Sequence, residues 1–513
     1  MRIMNISHIS WKADVKAGFI VSLIALPLCL GIATASGFPP FAGIITAIIG
    51  GLLTSWIGSA RFTIKGPAAG LIVIVLGAVM ELGQGNMIAG YHKALAVGVV
   101  AGILQLILAL IRMAGLGIAI SKTVVHGMLA AIGIIIIAKQ AHVMLGVTPT
   151  SQDTLLLLSE IPQSFINMDY VIGIIGFMSL FILIYWDNIA IGVLRAVPAP
   201  LVVLLIAVPF SVMAGIDSSY QINLPDSVIE GFAFPDFSDI ASITFIQYVI
   251  MFALVGAIES TLTVVASDAM KEYQHASDLN RDLFATSVGN IIASSLGGLP
   301  MISEIVRSKA NIDAGATSHI ANVAHGAFLL FYVVILSNAI ELIPLASLAA
   351  MLVLTGLRLA SYKEWRHAYY IGKDQLFLFS ITVIVTLLTD LLIGVGTGLI
   401  AKIMLHAYRG VSPVALFRSH IQLKQEAQAQ RIIIKGNAAF PALIKIRNML
   451  RHINDEARHI IVDIHHVALV DHTFLSGLHA VFAQYPLLSY SIEGKNNMRA
   501  LGHSEYSVHV KSL

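Results

Sequence analysis

One glutamate in the middle of an apolar stretch needs a chemical reason for being there. Between about Phe245 and Ala269, helical spacing puts Gly256, Glu259, Ser260, Thr263 and Ser267 on one stripe. A bare carboxylate among apolar residues is costly. Glu259 therefore either binds a cation or a proton, with the Thr263 hydroxyl one turn on as a further ligand, or is a structural carboxyl, protonated or hydrogen-bonded between helices. A second cluster follows Pro300, where the chain runs Met301-Ile302-Ser303-Glu304-Ile305-Val306-Arg307. Ser303 is of the right type to cap a short helix, whose free N–H groups and positive dipole end would face an anion. Arg307, one turn in, adds a fixed positive charge. Glu304 would repel an anion, so it either pairs with Arg307 at i,i+3 or is itself a titrating group in proton coupling.

These residues must be positioned by membrane-spanning helices. Of the 513 residues, 57% are hydrophobic and 12% charged, with a mean hydropathy of +0.84. Water-soluble domains carry about 25% charged residues. Apolar runs of spanning length (about 20 residues) recur, as in Val15 to Ala35, Ala94 to Ile111, Val124 to Ala138 with its flanks, and Gln375 to Leu405 as two adjoining spans. The run ending at Ala33-Thr34-Ala35 follows Arg2, Lys12 and Lys16 but exceeds a signal peptide's apolar region of roughly 7–15 residues, so it reads as the first retained helix. No basic stripe is interleaved with aromatics, so no nucleic-acid partner is expected. The single cysteine, Cys29, excludes a disulfide within the chain and leaves no basis for a thiolate metal site. No paired catalytic groups converge, which argues against an enzyme.

Two regions follow from composition. Residues 1–410 form a membrane domain; a polar linker, 411–429, leads into a small α/β domain, 430–513. In that tail, Arg431 to Lys435 and His459 to Ile464 read as strands, and Pro441 to Asn454 and Phe474 to Gln484 as amphipathic helices. The tail holds eight of the 18 histidines, among them His465, His466, His472 and His479. Metal ligation needs three or four converging ligands, and without a His-x3-His pair or a cysteine these read as solvated.

About 14 spans with a cytoplasmic N-terminus put Arg61/Lys65, Arg112/Lys122, Arg195, Lys271/Arg281 and Lys363/Arg366/Lys373 on the cytoplasmic side. The loop from Asp217 to Asp239, with Asp226, Glu230 and Asp236 and no Lys or Arg, lies opposite, as does the loop after Lys139, a residue at the membrane edge. The positive-inside rule predicts this asymmetry and places the tail in the cytoplasm. Gly66-Pro67-Ala68-Ala69-Gly70 opens one short apolar segment, and Gly297-Gly298-Leu299-Pro300 opens another roughly 230 residues later. Matching interrupted segments in two halves of seven spans point to an inverted repeat around a midplane binding site. If the first segment opens at the midplane, Lys65 is deep and needs an acidic partner, Glu259 or Glu304. If it opens at the cytoplasmic edge, Lys65 is an ordinary surface cation.

In several stretches, taken in order, the chain resembles the SulP anion-transporter family, which includes bicarbonate, sulfate and dicarboxylate members and prestin. They are Ala25-Leu26-Pro27-Leu28, Gly37-Phe38-Pro39-Pro40, Gly66-Pro67-Ala68-Ala69, Gly256-Ala257-Ile258-Glu259-Ser260, Gly289-Asn290, Gly297-Gly298, Arg307-Ser308 and Asn311. Ile461-Val462-Asp463-Ile464 and Val470-Asp471-His472-Thr473 resemble a STAS domain. The resemblance implies an α-helical membrane protein of 14 transmembrane segments in a seven-plus-seven inverted repeat, with a core moving against a gate, plus a small α/β STAS domain. Substrate would sit between two half-helix starts, at Gly66, Pro67, Ala68 and Ala69 and at Ser303, Glu304, Ile305 and Arg307. Glu259 and Thr263 would hold the coupling ion. The chain departs from the family at Ala68, where many members have Thr, and at Glu304, where small or hydroxyl residues are usual. His472-Thr473 replaces the usual Ser-Ser of the STAS loop, leaving Thr473 as the candidate for phosphorylation.

The expected function is secondary active transport of a small anion of the bicarbonate or sulfate class, coupled to Na⁺ or H⁺ by symport or exchange, by alternating access. The alternatives are a C4-dicarboxylate carrier and a STAS-based membrane scaffold or sensor with little transport. No cofactor is expected beyond Na⁺ as a coupling ion. The partners expected are the anion, the bilayer, a second copy in a homodimer and a cytoplasmic protein at the STAS domain. The location implied is a bacterial inner membrane, with both termini cytoplasmic.

Overall fold

The computed structural model describes residues 10–115, 121–151, 153–192, 194, 197–225, 227–270, 276–412, 420–425, 429–450, 459–482 and 488–511. Arg2, Arg195, Asp226 and Lys271, the polar run 426–428 and the expected helix ends at 451–454 and 483–484 lie outside these residues.

The membrane part is helical from α1 (Trp11–Ala35) and α2 (Pro40–Leu52) onward. Ser10 caps α1 by accepting from the Ala13 N–H, and Pro40 opens α2 at a position where its missing N–H would have no partner. A short extended segment, β1 (Ile64–Pro67), leads through a 3₁₀ turn at Ala69–Leu71 into the half-helix α3 (Ile72–Gly83). Next come α4 (Met87–Leu110), α5 (Lys122–Met144), α6 (Thr154–Ile166), α7 (Tyr170–Ile189) and α8 (Ala199–Ala214). The second half repeats the device. After α9 (Ile243–Ala269) and α10 (Leu279–Ser295), β2 (Met301–Glu304) leads into the half-helix α11 (Ile305–Asp313). The helices α12 (Ile320–Ile335), α13 (Leu345–Leu359), α14 (Tyr362–Ile371), α15 (Lys373–Leu388) and α16 (Leu391–Tyr408) complete it.

Among the described residues, seven helices are long and apolar enough to cross a membrane, or eight if α6 and α7, which meet at 115°, count as one broken span. Half-helices and short apolar helices such as α8 and α12 fall below that length, so this measure does not itself reach the expected fourteen. Large side chains including Phe181, Leu205, Ile246, Phe331, Ile384 and Ile400 are exposed. In water such a surface would be a liability; against lipid it is the solvated surface. The inward faces bury Cys29, Leu30, Ile44, Leu329 and Ala350 in one apolar core.

The C-terminal α/β region runs β3 (His420–Gln425), β4 (Gln430–Ala438), α17 (Phe440–Leu450), β5 (His459–Val470), α18 (His472–Phe482), β6 (Ser489–Glu493), β7 (Met498–Ala500) and β8 (His509–Lys511). Strand order is β3-β4-β5-β8-β7, with β6 also on β5. The central β4–β5 and β5–β6 pairs are parallel and the outer ones antiparallel. Alternation along β5 buries Ile460, Val462 and Ile464, and α18 buries Phe474, Leu478 and Val481. This sheet region fits a STAS domain. Residues 420–425, expected as linker, form a strand because their backbone pairs with residues 430–435 of β4.

Contacts divide the chain differently from composition. One compact unit holds residues 1–112, 132–263 and 278–359, and the other holds 113–131, 264–277 and 360–513. The C-terminal domain thus shares its unit with α14, α15 and α16. Within it, Ser507 Oγ donates to Ile371 O at 2.5 Å and Arg409 pairs with Asp374 at 2.9 Å.

Candidate functional site

The two half-helices start from one antiparallel strand pair. Ile64 lies opposite Glu304, Lys65 opposite Ser303, Gly66 opposite Ile302 and Pro67 opposite Met301. Each strand is too short to bury anything alone, and each supplies the other's backbone partners in a region without water. The pair is buttressed by side chains from behind. Asn290 of α10 accepts from Met301 N–H at 2.6 Å and donates to Gln105 of α4, which in turn donates to the Ala253 carbonyl of α9. Ser260 accepts from Ser303 N–H at 3.0 Å, and Thr46 donates to Leu299 O at 2.9 Å.

Two buried cations cross-brace the pair. Lys65, on the first strand, donates to both Asp282 oxygens at 2.8 Å and to Ser303 Oγ at 3.1 Å on the second. Arg307, on the second half-helix, reaches back to Pro67 O of the first at 2.5 Å and to Cys29 Sγ at 3.4 Å. Lys65 is 2% exposed, Asp282 1% and Arg307 1%. Lys65 is therefore buried and does have an acidic partner, but that partner is Asp282 rather than Glu259 or Glu304. Asp282 is the residue that the sequence reading missed. Its signal was an acid sharing a helical stripe with Thr286 and Asn290 in the first turn of α10.

The cap of α11 also differs from expectation. Glu304, not Ser303, accepts from the Arg307 N–H, at 2.9 Å. The Ser303 hydroxyl is already engaged by Lys65 and Asp282, and its N–H by Ser260. The i,i+3 pairing of Glu304 with Arg307 is present but loose, at 4.0 Å from Nε. With Arg307 N–H taken, the N–H groups of Ile305 and Val306 are the ones this helix start offers to a ligand. At the other start, neither Ala68 nor Leu71 makes a side-chain cap. Gly66, Pro67 and Ala68 are buried, while Ala69 is partly open.

Glu259 bears on both starts. A Cβ at Gly70 would collide with both of its carboxylate oxygens, so the carboxylate lies directly on the opening turn of the first half-helix. The neighbouring Ser260 holds the second strand. Glu259 Oε1 is enclosed and has no hydrogen-bond partner among the described residues. Thr263, one turn along α9, is buried on the same side. In the C-terminal domain, Asp463, His465 and Glu493 approach each other closely enough to suggest a metal site. Arg431 Nη1 fills that cluster instead, at 3.2 Å from Asp463 and 2.5 Å from Glu493.

Paired half-helices with a buried acid at their junction, set in a multi-pass membrane domain, define a membrane transport protein. The family model described as the sulfate permease family matches residues 11–382, and the chain belongs to that family, whose members are transporters rather than enzymes. It is 26% identical to YvdB of Bacillus subtilis, provisionally named a sulfate transporter, over 90% of this chain and 87% of that one. It is 22% identical to the bicarbonate transporter BicA of Picosynechococcus, over 78% of this chain and 70% of the relative. Among solved structures, the transmembrane domain of a cyanobacterial BicA superposes with a TM-score of 0.67 at 20% identity, covering 76% of this chain and 98% of that domain. SLC26A9 superposes with a TM-score of 0.70 at 14% identity, covering 94% and 84%. At these identities the superpositions establish the fold.

Proposed function

We propose that this protein is a secondary active transporter of a small oxyanion, sulfate or bicarbonate, coupled to H⁺ or Na⁺ through Glu259. Charge balance around the half-helix starts supports the reading. Lys65 is offset by Asp282 and Arg307 by Glu304, so the fixed charges cancel in pairs. What remains is the positive end of each half-helix, worth roughly half an elementary charge, and the Glu259 carboxylate. With Glu259 ionised the site is close to neutral and has no pull on an anion. With Glu259 protonated or holding Na⁺, the two dipole ends face the anion unopposed. Binding of the anion and neutralisation of Glu259 therefore favour one another, which is the thermodynamic content of symport.

The single observation carrying this is the enclosed, unpartnered Glu259 oxygen against the opening turn of the first half-helix. The names of the relatives bring sulfate and bicarbonate forward over dicarboxylates. The protein would work in a bacterial inner membrane with both termini cytoplasmic. In proteoliposomes, labelled sulfate or bicarbonate should accumulate under an imposed pH or sodium gradient. Glu259→Gln should leave only downhill movement. Accumulation by Glu259→Gln equal to that of wild type would sink the coupling assignment.

A further inference from the structure

The half-helix site leaves Lys139, a half-buried cation of a spanning helix, unused. Lys139 lies in α5, five residues before its end, and among the described residues it has no hydrogen bond or ion pair. It lines a cavity together with Gln140 and Ile136 of the same helix, Ile72 and Leu76 of α3, and Ala35 at the end of α1. Ile72 and Leu76 belong to the first turns of the half-helix whose opening forms the site above. The cavity is therefore adjacent to that site, on the side toward the membrane face where α1 ends. Its volume is about 10 Å³, roughly what one water needs.

A lysine this near a helix end often extends its ammonium to the interface and leaves its stem in lipid. Here the side chain is half-buried and lines a crevice between α5, α3 and the end of α1, with Gln140 also in the lining and no acid among the lining residues. A half-buried cation without a counter-charge is satisfied by an anion that passes it. We propose that Lys139 is a second anion station, occupied as the substrate moves between the half-helix starts and the α1-end face of the membrane. This rests on the transporter reading and adds a residue to it. In the present conformation the crevice is closed to the volume of a water, so the anion occupies it only when α3 and α5 separate. The chemistry selects by charge and size: a small oxyanion accepts from the ammonium and from the Gln140 amide, whereas a neutral solute gains nothing there.

Two measurements test it. In proteoliposomes, Lys139→Gln should raise the KM for sulfate or bicarbonate about tenfold, the loss expected for one charge-assisted hydrogen bond, with Vmax little changed. Lys139→Arg should restore the wild-type KM. Separately, Lys139→Cys should react with a membrane-impermeant anionic methanethiosulfonate reagent from one face, and sulfate should slow the reaction. The only other thiol, Cys29, is fully buried. Labelling is read on the protein itself, so it reports even where a variant moves no anion. Wild-type KM in Lys139→Gln, or no labelling of Lys139→Cys from either face, overturns the proposal and leaves the half-helix site standing. A wild-type protein that moves neither anion overturns the function proposed above.

Discussion

The Lys65–Asp282 pair places a strong constraint on the half-helix site. Both groups are enclosed, and the ammonium also holds the Ser303 hydroxyl. Removing one partner strands a charge where no water reaches it, which in buried pairs costs about 3–5 kcal/mol. Lys65→Met and Asp282→Leu should each lower the melting temperature markedly in detergent, followed by tryptophan fluorescence. The double variant should recover most of the loss, because two apolar side chains need no partner. Equal loss in the single and double variants would show that the pair does not act as a unit. Gly70→Ala tests a different contact. Its methyl group would collide with the Glu259 carboxylate, so transport should fall far more than stability, read as flux against melting temperature.

Among the elements, α16 and the C-terminal sheet are joined by one ion pair of consequence. Lys402 of α16 donates to Asp471 at 2.7 Å and to Thr473 Oγ1 at 2.9 Å, at the entrance to α18. Burial would raise the Asp471 carboxyl, but the Lys402 ammonium and His406 prevail and hold it well below the usual carboxylate range. A carboxylate depressed on folding binds its proton more readily in the unfolded chain. Its stabilisation is therefore complete above an ordinary value of about 4 and shrinks progressively as the pH falls below it. Asp471→Asn should lower the melting temperature at pH 7, and the gap from wild type should narrow in acid. A gap of constant size across that range would rule out this linkage. Thr473, the candidate for phosphorylation, is buried with its hydroxyl occupied by Lys402. A kinase could reach it only after this contact opens.

At the scale of the whole molecule, the distribution of charge predicts orientation. The stretch 217–239 carries acids and no Lys or Arg, and the positive-inside rule predicts that Arg61, Arg281, Lys363, Arg366 and Lys373 lie on the opposite side. Single cysteines introduced at Ser219 and at Gln422 should therefore label from opposite faces of right-side-out vesicles. Native Cys29, being fully buried, contributes little background. Labelling of both from the same face would overturn the assigned sidedness.

Composition and periodicity by themselves determined the membrane class, the two interrupted segments, the isolated acid of α9 and the α/β character of the tail. Each depends on residues within a few turns of one another, and hydrophobic spacing records that range directly. The tertiary structure decided the partners. Lys65 meets Asp282 across 217 positions, and Arg307 meets Pro67 across 240. The register that brings them together is set by a four-residue strand pair, too short to leave any alternation in the sequence. The same holds for Glu304 displacing Ser303 as the cap: either residue type can fill that role, and the choice fell to Glu304 because Ser303 was drawn to Lys65. Strands β7 and β8, three residues each, were invisible for the same reason. Local pattern shows that a buried charge must be satisfied, but only the long-range fold shows which group satisfies it.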